Sequence, residues 1–200
     1  QERRATKLPL QHLRRALVAD EEVDGLLVWH RQQALSDHSE AWADLTSLPE
    51  VHDLHTPDWI YIDTETTGLS AGVGNLAFMV GVARYTAKRR LEVRQYLLGG
   101  FAAESRMLRE VCDWVGQDAV LVSYNGKCFD LPLLQARLTM HRINRHLASL
   151  RHLDLMYSVR RAYRRHWPDC RLQTAEKRLL GLRRKDDLPG SEAPAAWQAW

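Results

Sequence analysis

The pattern of apolar and polar positions changes character once along the chain. Over residues 8 to 35 apolar side chains recur at helical spacing (Leu8, Leu10, Leu13, Leu17, Val18), followed by a polar SDHSE stretch and the prolines Pro49 and Pro57. Side chains three and four residues apart share a helical face, so this region reads as a helical extension leading into a linker. From Trp59 the period shortens. WIYID, AFMVGVARY and LEVRQYLL are compact apolar runs bounded by Gly-rich or Lys/Arg turns, and they predict a three-strand meander. Residues 103 to 115 then place Met107, Leu108, Val111, Cys112 and Val115 on one helical face. AVLVSY reads as a strongly apolar strand, and a helix is expected from Asp130 to Met140. RHLDL reads as a short fifth strand, with helices over Leu155 to His166 and Leu172 to Leu180, the last stopped by Gly181.

This βββαβα(β)α order predicts an α/β fold with a mixed sheet, its first three strands antiparallel and its later strands joined through helices. The same patterns divide the chain into an N-terminal helical extension and linker (1–58) and a main domain (59–200). Composition only narrows the class. With 45% hydrophobic and 26% charged residues the chain matches a soluble globular protein, and no run approaches the roughly 18 to 20 apolar residues of a membrane span. The N-terminus shows no apolar segment of signal-peptide type, so the expected location is cytoplasmic, with no membrane partner. Cys112, Cys128 and Cys170 form neither a CxxC pair nor a zinc pattern, and are expected to be reduced thiols.

Charge changes the picture more. The net of +3 hides an asymmetry: residues 1–58 carry 6 Lys/Arg against 11 Asp/Glu, a net of −5, and residues 141–185 carry 13 against 3, a net of +10. The basic half is where a polyanion would bind, and Arg160, Arg161, Arg164 and Arg165 are the expected contacts to a phosphate backbone. A solvated helical face is the plainer reading of such a run. His141, His146, His152 and His166 sit among these arginines and read as part of the basic surface. Trp167 reads either as a base-stacking side chain or as packing against the sheet. No GxxxxGK[ST] occurs, which argues against a nucleotide-binding ATPase.

The candidate chemistry lies at two strand ends. In Asp63-Thr64-Glu65-Thr66-Thr67-Gly68-Leu69 the strand alternation points Asp63 and Glu65 the same way, about 7 Å apart. Two carboxylates side by side are unfavourable without a cation between them, and hard divalent ions prefer such oxygen ligands. A pair of solvent-facing acids is the alternative. The second segment, Ser123-Tyr124-Asn125-Gly126-Lys127-Cys128-Phe129-Asp130-Leu131-Pro132, places Asp130 near a helix N-terminus, with Pro132 in the first turn where its missing donor is harmless. By itself Asp130 reads first as an N-cap.

Together these segments resemble the paired motifs of the DEDD (DnaQ-like) 3′–5′ exonucleases, DTETTGL as the first and NGKCFDLPLL as the second. With GNLAFMVGVARY and the later HLDL and LLGLRRKDDLPG, residues 59 to 200 look most like the bacterial YprB-like ribonuclease H-like domain. The resemblance implies a ribonuclease H-like fold and a nuclease acting by two-metal phosphodiester hydrolysis, with Mg²⁺ or Mn²⁺ as cofactor and single-stranded DNA or RNA ends as partner. It matches Asp63, Glu65 and Asp130 to three of the four family carboxylates, catalytic and metal-binding. It also implies that Thr67, Gly68 and Leu69 abut the terminal nucleotide, and that Asn125 and Phe129 shape the other side of the cleft. One departure stands out. The fourth carboxylate of the family follows a Tyr or His on a late helix, and no such pattern follows Gly181. Asp186 and Asp187 lie in a charged loop, and Asp154 reads as the cap of the next helix. The chain is therefore expected to be a fragment whose fourth ligand lies beyond it. The competing expectation is a non-catalytic nucleic-acid-binding or scaffold module of the same fold.

Overall fold

A computed structural model describes residues 19–34, 59–68, 74–86, 90–184 and 188–200 of the chain. Its frame is a seven-stranded mixed sheet. The strands are β1 (Glu21–Val23), β2 (Leu26–Ala34), β3 (Trp59–Thr66), β4 (Ala77–Tyr85), β5 (Arg90–Leu98), β6 (Val120–Ser123) and β7 (Arg151–Asp154). They lie in the spatial order β1-β2-β5-β4-β3-β6-β7. β3, β4 and β5 form the expected antiparallel meander, and β6 and β7 add to β3 in parallel. The α-helices among the described residues are α1 (Glu104–Val115), α2 (Asp130–Met140), α3 (Leu155–Tyr163), α4 (Leu172–Leu179) and α5 (Ala193–Gln198). The mixed sheet flanked by helices is the fold read from the sequence.

The N-terminal expectation needs correcting. Residues 21–34 are not helical: they form β1 and β2, and β2 pairs with β5 along its whole length, from Leu26↔Leu98 to Ala34↔Arg90. The turn between them is Asp24-Gly25, with both residues at positive φ (52° and 79°), the geometry that a two-residue hairpin requires and that Asp-Gly adopts readily. Leu26, Leu27 and Val28 satisfy the strand by burying in the sheet core, so tertiary pairing decides this segment. Residues 1–18 and 35–58 lie outside the described residues.

Alternation along the central strands divides the interior. Ile60 and Ile62 of β3 and Leu121 of β6 face the large core under α1 and α2, with Met107, Leu108, Val111, Cys112, Leu134 and Leu138. Trp59, Val120, Val122 and Leu153 form a smaller cluster on the other face, with Tyr61 packed against it. β6 is buried on both faces, as a central parallel strand must be. Glu104 is also buried there. Arg137 of α2 donates to it through Nε and Nη2, and His141 Nε2 lies 2.8 Å from its Oε2, tying α1 to the end of α2. Gly181 at φ +67° ends the turn after α4 as expected.

Candidate active site

β3 runs into the site with its last residues, where its pairing with β4 shifts register between Glu65 and Thr66. Such an irregularity twists a strand end and redirects its side chains. Thr67 then holds the next segment in place: its amide donates to the Leu76 carbonyl (3.0 Å), and its Oγ1 accepts from the Leu76 amide (3.1 Å). The neighbouring Thr66 Oγ1 donates to the Gly68 carbonyl (2.8 Å). Leu69 lies outside the described residues.

The second segment is organised by a residue read from sequence only as a cap. Asp154 at the end of β7 is wholly buried. It caps α3 as expected, accepting from the Met156 amide (3.1 Å), and it also accepts from the amides of Asn125 (2.7 Å) and Lys127 (3.0 Å). This fastens the β6–α2 loop to β7. Asn125 sits at φ +75°, a left-handed conformation that asparagine tolerates better than most side chains. Gly126 lies against Ser123: its amide donates to Ser123 Oγ (3.0 Å), and an added Cβ would fall 2.4 Å from that oxygen. The same hydroxyl is 2.8 Å from His152 Nε2, which gives His152 an interior partner rather than a place on a basic surface.

The loop delivers Asp130 to the first residue of α2, buried, with Phe129 at the cap position and no capping side-chain bond. The N-cap reading does not hold. Asp130 Oδ1 instead accepts from the Thr64 hydroxyl, which by alternation lies on the opposite face of β3 from Asp63 and Glu65. Burial pushes the Asp130 carboxyl up to about 6; the Thr64 hydroxyl and its own amide pull against this, and the charges of Asp63 and Asp154 add to it. Asp63 is also raised, again by burial first, although the Thr64 amide and the Arg184 guanidinium oppose the shift. The site therefore concentrates negative charge on hard oxygen atoms that the protein only partly neutralises. Carboxylate oxygens are the donor type that a divalent cation such as magnesium or manganese prefers. Among the described residues, however, no group of three His, Cys, Asp or Glu side chains is gathered closely enough to hold an ion.

Two cavities flank the end of β3. One, of about 560 Å³, is lined by Glu65, Asp130, Thr67, Gly68 and Phe129, together with part of α5. The other, of about 600 Å³, is lined by Asp63, Asn125, Arg160, Arg164 and Arg171, with the 167–170 segment. Tyr124 pins that segment: burial pushes its hydroxyl pKa up to about 12, so the group stays protonated and donates to the Cys170 carbonyl (2.7 Å). Arg161 and Arg165 are exposed and line neither cavity. Trp167 has one face stacked on Tyr163 (4.2 Å between centroids, 6° between planes) and Arg178 5.6 Å from its ring, so it is already engaged. Sequence reasoning missed Thr64, Ser123 and the loop-fastening role of Asp154. The first two gave no pattern of their own, and for Asp154 only the cap was legible.

A parallel extension of an antiparallel meander, with an acid at the end of β3 and another at the start of α2, defines a mixed α/β architecture of the ribonuclease H-like type. The chain belongs to the RNase_H superfamily, whose RNase_H_2 family matches residues 60–200. It is 33% identical over 192 residues to the "Uncharacterized protein YprB" of Bacillus subtilis (strain 168), covering 96% of this chain and 43% of that protein. The chain thus spans under half the length of that curated relative. Among solved structures, an ExoI/SSB-Ct complex aligns over 70% of this chain and 40% of its own, with a TM-score of 0.50 and 15% identity, a likeness of fold alone. Escherichia coli Exonuclease I in complex with a 5cy-dA13 oligonucleotide aligns over 60% of this chain and 35% of its own, at a TM-score of 0.47 and 15% identity.

Proposed function

We propose that this chain is the nuclease domain of a YprB-like DEDD enzyme, a metal-dependent 3′–5′ exonuclease acting on the ends of single-stranded DNA or RNA. The observation that carries the reading is the buried Asp130, raised to about 6, beside the raised Asp63 at the end of β3. A buried carboxylate such as Asp130 is retained at a loss of stability unless a bound cation offsets it, and the more exposed Asp63 adds a second negative charge nearby. On this reading Asp63, Glu65 and Asp130 hold Mg²⁺ or Mn²⁺, which when bound activates water and stabilises the leaving oxygen. Thr64 orients Asp130 by holding one of its oxygens, and Asp154 sets the loop that presents it. Arg160 and Arg164, which share a cavity with Asp63, draw the phosphate backbone to the acids, and Arg161 and Arg165 extend that field outward. Thr67 and Gly68 lie against the terminal nucleotide, and Asn125 and Phe129 complete the cleft.

No fourth carboxylate joins the set among the described residues. Asp154 is occupied by three backbone amides, and Asp169, which lines the Asp63 cavity, accepts from Thr174 Oγ1 (2.6 Å) and the Arg171 amide (3.0 Å). Asp186 and Asp187 lie outside the described residues. The absence of a three-acid cluster among those residues favours a second reading, a nucleic-acid-binding module without catalysis. Digestion of end-labelled single-stranded DNA and RNA by the full-length protein, with Mn²⁺, Mg²⁺ or chelator, separates the two. Metal-dependent shortening that falls by several orders of magnitude in Asp63→Ala and Asp130→Ala supports the enzyme. Binding without shortening supports the module.

A further inference from the structure

Three consecutive amides of the β6–α2 loop are held from β6 and β7. Asp154 takes those of Asn125 and Lys127, and the one between them, Gly126, donates to Ser123 Oγ (3.0 Å). Ser123 is buried at the end of β6, and its hydroxyl has a second partner in His152 Nε2, 2.8 Å away. A hydroxyl has one hydrogen and two lone pairs and can rotate, so a fixed neighbour settles where the lone pair facing Gly126 points, whichever ring tautomer His152 adopts. His152 and Asp154 stand two residues apart on β7 and share a face of the sheet. One short strand therefore supplies both supports of the loop.

Gly126 passes that position on to Asp130. Its carbonyl accepts from the Leu131 amide (3.0 Å) in the first turn of α2. No side chain fits at this place: a Cβ would meet Ser123 Oγ at 2.4 Å and Asp130 Oδ2 at 3.1 Å. The other oxygen of that carboxylate, Oδ1, accepts from Thr64. One oxygen is thus fixed by a hydroxyl from β3, and the other lies beside a backbone whose place depends on Ser123. We propose that His152 is a positioning residue for Asp130, acting through the Ser123 hydroxyl and the Gly126 backbone. Groups that bind metal or take part in catalysis work only when held to about 0.5 Å. Loss of a partner one step behind such a group lowers metal affinity or activity about 10- to 100-fold. The service of Asp130 in hydrolysis rests on the nuclease reading above, whereas the support of its loop by His152 does not.

The experiment compares full-length wild type with His152→Gln, His152→Asn, Ser123→Ala and the double variant Ser123→Ala/His152→Asn. A glutamine amide reaches about as far as imidazole Nε2, and an asparagine amide stops short of Ser123. Three quantities are read: hydrogen exchange of the 123–131 segment by mass spectrometry, Mn²⁺ affinity by electron paramagnetic resonance, and kcat and KM on an end-labelled single strand. His152→Asn is expected to speed exchange of the segment and to lower Mn²⁺ affinity and kcat about tenfold or more, with KM for the strand unchanged. His152→Gln is expected to stay close to wild type, and His152→Asn to add nothing in the Ser123→Ala background, since both act through one hydroxyl. His152→Ala, which also cannot reach Ser123, stands in should the asparagine variant fail to fold. Wild-type Mn²⁺ affinity and kcat in His152→Asn, an equal loss in His152→Gln, or losses that add in the double variant overturn the proposal and leave the nuclease reading standing. Should wild type bind no Mn²⁺ and hydrolyse nothing, that reading fails and exchange alone decides: faster exchange in the asparagine variant but not the glutamine variant supports the proposal, and equal exchange overturns it.

Discussion

Asp130 shows how burial sets a single charged residue against stability. With its carboxyl raised to about 6, the folded state favours the protonated form, so the ionised group destabilises the protein above that pH. The burden is relieved as pH falls from about 6 towards the ordinary 3.8. Asp130→Asn keeps the shape and removes the charge. The expected outcome is a metal-free protein more stable by about 1 to 3 kcal/mol in urea unfolding at pH 7, together with loss of hydrolysis. A destabilised Asn variant would show that the carboxylate is instead structural. Gly126 is the opposite case. A Cβ there would meet Ser123 Oγ at 2.4 Å and Ser123 Cβ at 2.7 Å, so Gly126→Ala must displace the end of β6. Its expected cost is about 1 to 3 kcal/mol, measured as a lower Tm.

At the scale of elements, the site is a meeting of chain ends that are fastened to one another. β7 grips the β6–α2 loop through Asp154, whose carboxylate accepts three amides. Asp154→Ala leaves those amides without their carboxylate partner, and the expected effect is a loss of about 1 to 3 kcal/mol and faster amide exchange at Asn125 and Lys127. Unchanged exchange there would mean the loop holds its shape without the strap. α3 and the turn after it carry the basic half of the site. Replacing both Arg160 and Arg164 with Glu is expected to weaken binding of a single-stranded oligonucleotide and to flatten its salt dependence by about 1 to 2 units of slope. Binding and slope both unchanged would make α3 an ordinary solvated helix.

The packing of α1 against α2 is fastened by an ion cluster of Glu104, Arg137 and His141. Burial opposes the charge on Glu104, but the hydrogen bonds from Arg137 and His141 outweigh it and hold its pKa below the ordinary 4.5. A depressed acid contributes its stability above the unfolded pKa and loses it as pH falls through the lower folded value. The expected outcome is that stability declines as acid is added from about pH 4.5 downwards. Glu104→Gln should lower Tm at pH 7 and remove most of that decline, because the half-buried Arg137 loses the charge of Glu104 at a cost of about 1 to 3 kcal/mol. A variant with the same acid dependence as wild type would place the sensitivity elsewhere.

The sequence by itself determined the elements from Trp59 onward, because strand alternation and helical period act over a few residues and are written in the order of side chains. It also located Asp63 and Glu65 at the end of β3, legible as the point where an apolar run stops, and Asp130 at the start of the helix after β6. The structure decided what depends on partners distant in sequence. Residues 21–34 became strands because β5 offered an edge and a buried face, although the Asp24-Gly25 turn was the one local sign of a hairpin. Asp130 bonded to Thr64, 66 residues away, in place of capping its own helix. Trp197 found Leu98 across 99 residues of chain and brought α5 over the cavity, a contact that no local pattern encodes because the side chains that create it meet only after the sheet has formed.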